Sequence, residues 1–217
     1  MPDLNFRVDG AEPVSFAATP TLSLKILVTN SPPTEVIHSA VLQVQIQIEA
    51  SRRRYSAAEQ SKLVDLFGDP DRWSLTLRSM LWTHANTVLS SFSQRTLADV
   101  HVPCTFDFNV AATKYFHAVE EGEIPLTLLF SGTIFYAGPT GALQVAPISW
   151  NKVARYKLPA QVWRRMMDEY YPNSAWLTIR RDVFARLLEF KMRYGIATWE
   201  EMAEHCIEAL DGEPLHQ

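Results

Sequence analysis

VIHSAVLQVQIQI, residues Val36 to Ile48, alternates almost without a break. Val36, His38, Ala40, Leu42, Val44, Ile46 and Ile48 fall on one face, with Ser39, Gln43, Gln45 and Gln47 on the other. A period of two over this length defines a β-strand with one apolar side, not a helix. The pattern returns at Val100, Val102, Cys104, Phe106, Phe108 and Val110, with His101, Thr105, Asp107 and Asn109 between them. Two such strands, polar on alternate positions, imply an antiparallel sheet with one wet face.

Working outward, Asn5 to Val8 reads as a short strand running into the turn-rich Asp9-Gly10-Ala11-Glu12-Pro13, and Thr21 to Thr29 as another, with Leu22, Leu24, Ile26 and Val28 on its apolar side. Asn30-Ser31-Pro32-Pro33 separates it from the long strand, because proline has no N–H to give a ladder. Ser56 and Glu59 have capping-box spacing ahead of Leu63, Val64, Leu66 and Phe67, and Gly68 stops that helix. The spacing is ambiguous from Asp69 to Trp82, and Thr83 to Phe92 leans towards strand. Thr113 to Val119 reads as a short helix. From Leu126 to Tyr136 a run apolar on both faces in places and interrupted by one glycine, Gly132, suits a central strand with a bulge or a close approach at the glycine. Gly138-Pro139-Thr140-Gly141 then turns the chain into a returning strand, Ala142 to Ile148.

Beyond Trp150 the period becomes helical: Val162, Met166, Met167 and Tyr170; then Val183, Leu187, Leu188 and Met192 up to Gly195; then a capping box, Thr198 with Glu201, before Met202, Cys206 and Leu210. The fold expected is α+β. Residues 1–150 form an antiparallel β-sandwich-like body with a helical insertion near 56–82, and residues 151–217 a helical segment packed on the sheet.

At 217 residues and 47% hydrophobic content the chain can bury a large core without staples. Its net charge of −4 and dispersed lysines and arginines leave no broad basic field, so nucleic acid is not an expected partner. The N-terminus has no basic or apolar leader, and no apolar stretch has spanning length. A cytoplasmic protein without membrane insertion is therefore expected. Cys104 and Cys206 are expected as thiols.

No spacing identifies a reaction. The histidines and cysteines are scattered, with no CxxC or HExxH, so neither a metal nor an iron–sulfur cofactor is expected. Ser131-Gly132 lacks the flanking glycine of a nucleophile elbow, and there is no phosphate loop. Arg52-Arg53-Arg54 suits an acidic partner or a solvated strand end. The C-terminal aromatics, Trp150, Trp163 and Trp176 among them, suit helix-to-sheet packing or an anchored protein interface, where tryptophan, tyrosine and arginine dominate binding energy.

Pro20-Thr21-Leu22, Leu42 to Ile48 ending in Arg52-Arg53-Arg54-Tyr55, Asp65-Leu66-Phe67-Gly68 with Trp73, Leu81-Trp82-Thr83, Val102-Pro103-Cys104, Lys114-Tyr115-Phe116, Gly122-Glu123-Ile124-Pro125-Leu126 with Leu129-Phe130-Ser131-Gly132, and Tyr171-Pro172-Asn173-Ser174 with Trp176-Leu177 are together similar to an uncharacterised bacterial family of this length. That family is encoded beside nickel–iron hydrogenase structural and maturation genes. The resemblance implies a non-catalytic accessory, assembly or scaffold role whose protein partners are hydrogenase subunits or maturation factors, and it brings no catalytic residues.

Two other functions compete. One is a small-molecule enzyme with a cleft between sheet and helices, with His117, Glu121 or Ser131 at its mouth; the other is a chaperone, since long alternating strands followed by helices are also similar to the SecB family. For partner binding the candidates are Gln43, Gln45, Gln47, Arg52, Arg53, Arg54, Trp150, Trp163 and Trp176, and a homo-oligomer is compatible with them. Gln43, Gln45 and Gln47 are uncharged at positions where lysine, glutamate or threonine is commoner on a solvated sheet. Their face is expected to be covered, by the chain's own helices or by a partner.

Overall fold

A computed structural model describes residues 1–105, 110–174 and 177–211. Phe106 and Phe108 of the second alternating run, and Trp176, lie outside the described residues. The described chain divides into two compact units, Met1–Ser174 and Ala175–Gln217.

The first unit is a β-sandwich. Strand β1 (Asp3–Pro13) pairs antiparallel with β2 (Thr21–Ser31), and β2 with β5 (Arg95–Pro103), making a three-stranded sheet. The facing sheet is built on β3 (Ile37–Ile48), flanked by β4 (Met80–Leu89) and the fifteen-residue β6 (Glu123–Ala137). On the other side of β6, β7 (Leu143–Pro147) pairs with its C-terminal half and β8 (Val153–Pro159) with its N-terminal half. Leu22, Leu24, Ile26 and Val28 of β2 and Leu42, Ile46 and Ile48 of β3 are fully buried in one cluster. Phe6 of β1 stacks on Phe130 of β6 with ring centroids 4.2 Å apart, joining the two sheets.

Three helices complete this core: α1 (Ala57–Phe67), α3 (Val110–Ala118) and α4 (Ala160–Tyr170), with the single turn α2 (Trp73–Thr76) beside α1. The Ser56–Glu59 capping box is present in both directions. Aromatic stacking ties the layers. Trp82 of β4 packs on Phe116 of α3 at 4.7 Å, and Phe116 stacks on Trp163 of α4 at 5.2 Å.

Several boundaries differ from those expected. Ile37 is buried while Val36 and His38 are exposed, because an irregularity between Ile37 and Ser39 resets the alternation before Ala40. Asp9-Gly10 is not a turn; β1 runs through it, with a register shift between Val8 and Gly10 absorbing the extra residue. The second alternating run is not one strand: the ladder closes at Pro103, and Val110 opens α3. Residue 150 is not where the sheet ends. Val153 to Pro159 adds a strand whose Arg155 and Lys157 point outward while Ala154 and Leu158 are buried. That short VARYKLP alternation is easily lost against the helical pattern following it. The helix after it, α4, contacts β1, β2 and β8 and belongs to the first unit.

The second unit is a helical hairpin of α5 (Arg181–Tyr194) and α6 (Trp199–Asp211). Gly195 caps α5 in the left-handed conformation (φ 64°, ψ 28°), as the sequence leads one to expect of a glycine at a helix end. The Thr198–Glu201 capping box starts α6: Thr198 Oγ1 accepts from the Glu201 N–H at 3.1 Å, and Glu201 Oε2 accepts from the Thr198 N–H at 3.4 Å.

Candidate functional site: the outer face of the five-stranded sheet

Because β3 alternates strictly from Ala40 onward, burying Leu42, Val44, Ile46 and Ile48 obliges Val41, Gln43, Gln45 and Gln47 to project from the other side. Register extends them into rows across the sheet. Asn86, Gln43 and Ser131 form one row; His84, Gln45, Leu129 and Val153 the next; Leu81, Gln47, Thr127 and Arg155 the third. Val41, paired with Val88 and Thr133, extends the face at the other end. Val41, Val88, Leu81 and Val153 are all exposed, so uncharged amides and hydroxyls are interleaved with aliphatic side chains.

The expected cover by the chain's own helices is not found over Gln43, which is exposed; Gln45 and Gln47 are half-buried. Helix-to-strand packing in this unit goes to β1, β2, β4 and β8 instead. Helices α3 and α4 lie on the side of the sandwich where Trp82 and Phe116 are buried.

The three arginines beyond β3 part company. The chain enters a short 3-10 turn, Ala50–Arg52, so consecutive side chains diverge. Arg52 is exposed and lies 3.7 Å from Glu49. It lines a groove of about 520 Å³ with Glu49, Thr127, Arg155, Tyr156 and Lys157. Lys157 is held by Glu123 at 3.1 Å, while Arg155 has no ion pair among the described residues. Sequence reasoning missed this groove because it missed β8, whose outward Arg155 and Lys157 were the available signal. Arg54 is exposed.

Arg53 turns inward, contrary to its expected role at a partner surface. Its Nη2 donates to Glu59 Oε1 at 2.9 Å and to the Glu121 carbonyl, and its guanidinium lies over the Tyr55 ring. Glu59 also accepts the Ser56 N–H at 2.9 Å and the Glu120 N–H at 3.1 Å. Burial opposes its ionisation, but the hydrogen bonds from Arg53, Ser56 and Glu120 prevail and hold the carboxyl below its ordinary range. The Tyr55 hydroxyl donates to the Ala50 carbonyl at 2.7 Å and lies 2.8 Å from the Tyr115 hydroxyl. Burial, first, and its tyrosine neighbour push the Tyr55 phenol strongly upward. These residues form a clamp joining the end of β3, the start of α1 and the turn after α3.

The tryptophans also separate. Trp150 is exposed in the turn between β7 and β8. Trp163 is in the core between Phe116 and the edge of His117, whose centroid is 4.8 Å away, so it cannot be a surface anchor. Desolvation, then the Arg164 charge, lowers the His117 pKa. His117 on α3 and Ser131 on the outer face of β6 have different surroundings, and Glu121 offers its carbonyl to Arg53. Among the described residues, no three histidine, cysteine or acidic side chains are placed to hold a metal ion. Nor is any described helix long and apolar enough to cross a membrane.

Fold and surface together define an antiparallel β-sandwich with flanking helices that presents an amide-rich, partly aliphatic sheet face with Arg155 at its edge. The chain belongs to a family of unknown function, DUF6084, whose model matches residues 1–214. No curated protein matches it. Among solved structures it is similar to the CARDB domain of the PF1109 protein from Pyrococcus furiosus, at 11% identity and a TM-score of 0.27 over 73% of this chain and 92% of that one. It is also similar to a putative ApaA protein from Bordetella pertussis, at 12% identity and a TM-score of 0.26 over 72% and 93%. A third, β-glucosidase 3B from Thermotoga neapolitana, aligns at 13% identity and a TM-score of 0.25 over 72% of this chain and 17% of the enzyme.

Proposed function

We propose that this protein is a non-catalytic accessory or scaffold protein that binds a larger enzyme during its assembly, and that the enzyme is a nickel–iron hydrogenase. The observation that supports binding is the outer sheet face. Gln43, Gln45 and Gln47 stand in rows with Ser131, Thr127 and Asn86 among exposed Val41, Val88 and Leu81. Such a face carries no formal charge in its central rows, and the desolvation cost of its amides is offset where they pair with a partner's backbone. The choice of hydrogenase rests on the family resemblance alone.

The test is affinity purification of the tagged full chain from its native cells, beside a Gln45→Glu, Val41→Glu variant. Retention of hydrogenase subunits or maturation factors by the parent chain, reduced at least tenfold in a variant of unchanged thermal stability, is the expected result. Purification without either, together with normal hydrogenase activity after gene deletion, refutes the assignment.

A further inference from the structure

The groove at the end of the outer sheet face gathers three cations onto a small area of a chain whose net charge is −4. Its floor is β6, where Pro125 and Thr127 alternate with the buried Ile124, Leu126 and Leu128 and so face outward. Lys157 and Arg155 of β8 stand beside them in register. On the other side the Glu49 N–H donates to the Pro125 carbonyl at 2.8 Å, which brings Glu49 and Arg52 to the opposite rim. Two strand spacings of about 4.8 Å put the rims roughly 10 Å apart, so Arg52 and Arg155 reach over the same stretch of floor from opposite sides.

These cations are poorly neutralised. Among the described residues the Arg155 guanidinium has neither an ion pair nor a hydrogen bond. Arg52 meets Glu49 through Nε alone, at 3.7 Å, which is too long for a hydrogen bond. Lys157 holds Glu123 at 3.1 Å, but the two side chains are 71% and 52% exposed, and pairs so solvated contribute little. Three cations against the carboxylates of Glu49 and Glu123 leave one positive charge uncompensated. Charged side chains on an outer strand also deter other strands from pairing with it, but that role calls for no arginine on the opposite rim.

The uncompensated charge selects the ligand. Two guanidinium forks, with the Thr127 hydroxyl between them, favour an oxyanion that can accept paired N–H···O bonds. A carboxylate matches the single charge. A phosphate monoester, at about −1.5 to −2, would bring surplus negative charge against Glu49. The volume of about 520 Å³ lies within the roughly 300–1,000 Å³ typical of ligand pockets, so the groove has room for the molecule that carries the carboxylate as well as for the anion itself.

We propose that this groove is a binding site for a carboxylate, held between Arg52 and Arg155 above Thr127, with Lys157 adding charge at the rim. The assignment is independent of which enzyme the outer face binds.

The arginine Nε–H resonances of the full chain, followed during titration with sodium acetate at constant ionic strength, test it. Those of Arg52 and Arg155 should shift together and saturate with one dissociation constant. Arg155→Ala should raise that constant, read at Arg52, at least tenfold. Arg54→Ala, at an exposed position that does not line the groove, should leave it unchanged. Glu49→Gln, which removes the negative charge beside Arg52, should lower it at least threefold. Inorganic phosphate should bind no more tightly than acetate. The peptide acetyl-Ala-Glu-Ala-amide distinguishes the two sources of a carboxylate: binding tighter than that of acetate assigns the groove to an acidic segment of a protein, and equal or weaker binding to a free carboxylic acid. Shifts that never saturate, or that are as large at Arg54, show general counterion attraction and overturn the proposal, as does an acetate affinity unaffected by Arg155→Ala. Tighter binding of phosphate overturns the choice of a carboxylate.

Discussion

Replacing Arg53 by alanine isolates the inward-facing arginine from its two exposed neighbours. The side chains of Arg53 and Glu59 are only 11% and 7% exposed and meet at 2.9 Å. Truncation leaves Glu59 with its Ser56 and Glu120 N–H groups but no counter-charge, and removes the donor to the Glu121 carbonyl. Stranding one partner of a buried pair costs about 3 kcal/mol or more, a large part of the roughly 5–15 kcal/mol that holds a domain together. With a urea dependence of about 2 kcal/mol per molar, the unfolding midpoint should fall by about 1.5 M. Arg52→Ala and Arg54→Ala, at exposed positions, should stay within about 0.5 kcal/mol. Glu59→Gln introduced into the Arg53→Ala chain should restore part of the loss by removing the stranded charge. The effect of pH has a fixed sign. Because the Glu59 carboxyl is held below its ordinary range, its contribution is complete above the unfolded value near 4.5 and is lost as pH falls through the lower folded value. The gap between parent and Glu59→Gln should therefore be full at neutral pH and close in acid. If Arg53→Ala unfolds at the same urea concentration as Arg52→Ala, the clamp is not structural and the argument fails.

Gly132 has φ of +141°, and a Cβ there would lie 2.0 Å from the Val41 carbonyl oxygen of the neighbouring strand. Gly132→Ala should cost about 3 kcal/mol or more from strained backbone and separation of β3 from β6, against less than about 0.5 for Ser131→Ala; equal urea midpoints would contradict it. Trp163→Ala should cost about 3–5 kcal/mol by emptying the stack on Phe116, whereas Trp150→Ala should leave thermal unfolding unchanged. Burial pushes the Cys104 thiol up to about 12. In a Cys206→Ser background it should therefore resist thiol reagents until the protein unfolds, and rapid native labelling would show the strand end to be open.

The sandwich was legible wherever burial is one-sided. Leu22 to Val28 and Leu42 to Ile48 write their orientation into every second residue, and the Ser56, Thr198 and Gly195 caps mark helix ends through short-range hydrogen bonds. Register shifts are not written that way. At Val8 and Gly10, and at Ile37 and Ser39, one extra residue is absorbed by pairing with a distant strand, so the local pattern misassigns a turn and a face. Strand β8 escaped for a related reason: its alternation is only seven residues long and its identity depends on Glu123 to Leu129, thirty residues earlier. Gly132 was legible as a site of close approach because it is the one residue without a side chain in a long strand that is otherwise rich in branched and aromatic residues.

The candidate site shows where composition misleads. Six tryptophans suggest an anchored interface, but Trp73, Trp82 and Trp163 are buried, Trp73 Nε1 donating to the Gly68 carbonyl at 2.9 Å, and they hold helices to the sheet. The adjacent arginines mislead in the same way, since past the end of β3 each points in a different direction, one into a buried ion pair and another into a groove. Glutamine is less ambiguous. On a strand whose alternate residues are fully buried, the amide positions cannot turn inward without taking Leu42, Val44 and Ile46 out of the core. A one-residue slip would expose every one of those aliphatic side chains. The core that fixes the fold therefore also fixes the amide face, and this coupling makes Gln43, Gln45 and Gln47 a stronger binding candidate than the aromatic residues that first draw attention.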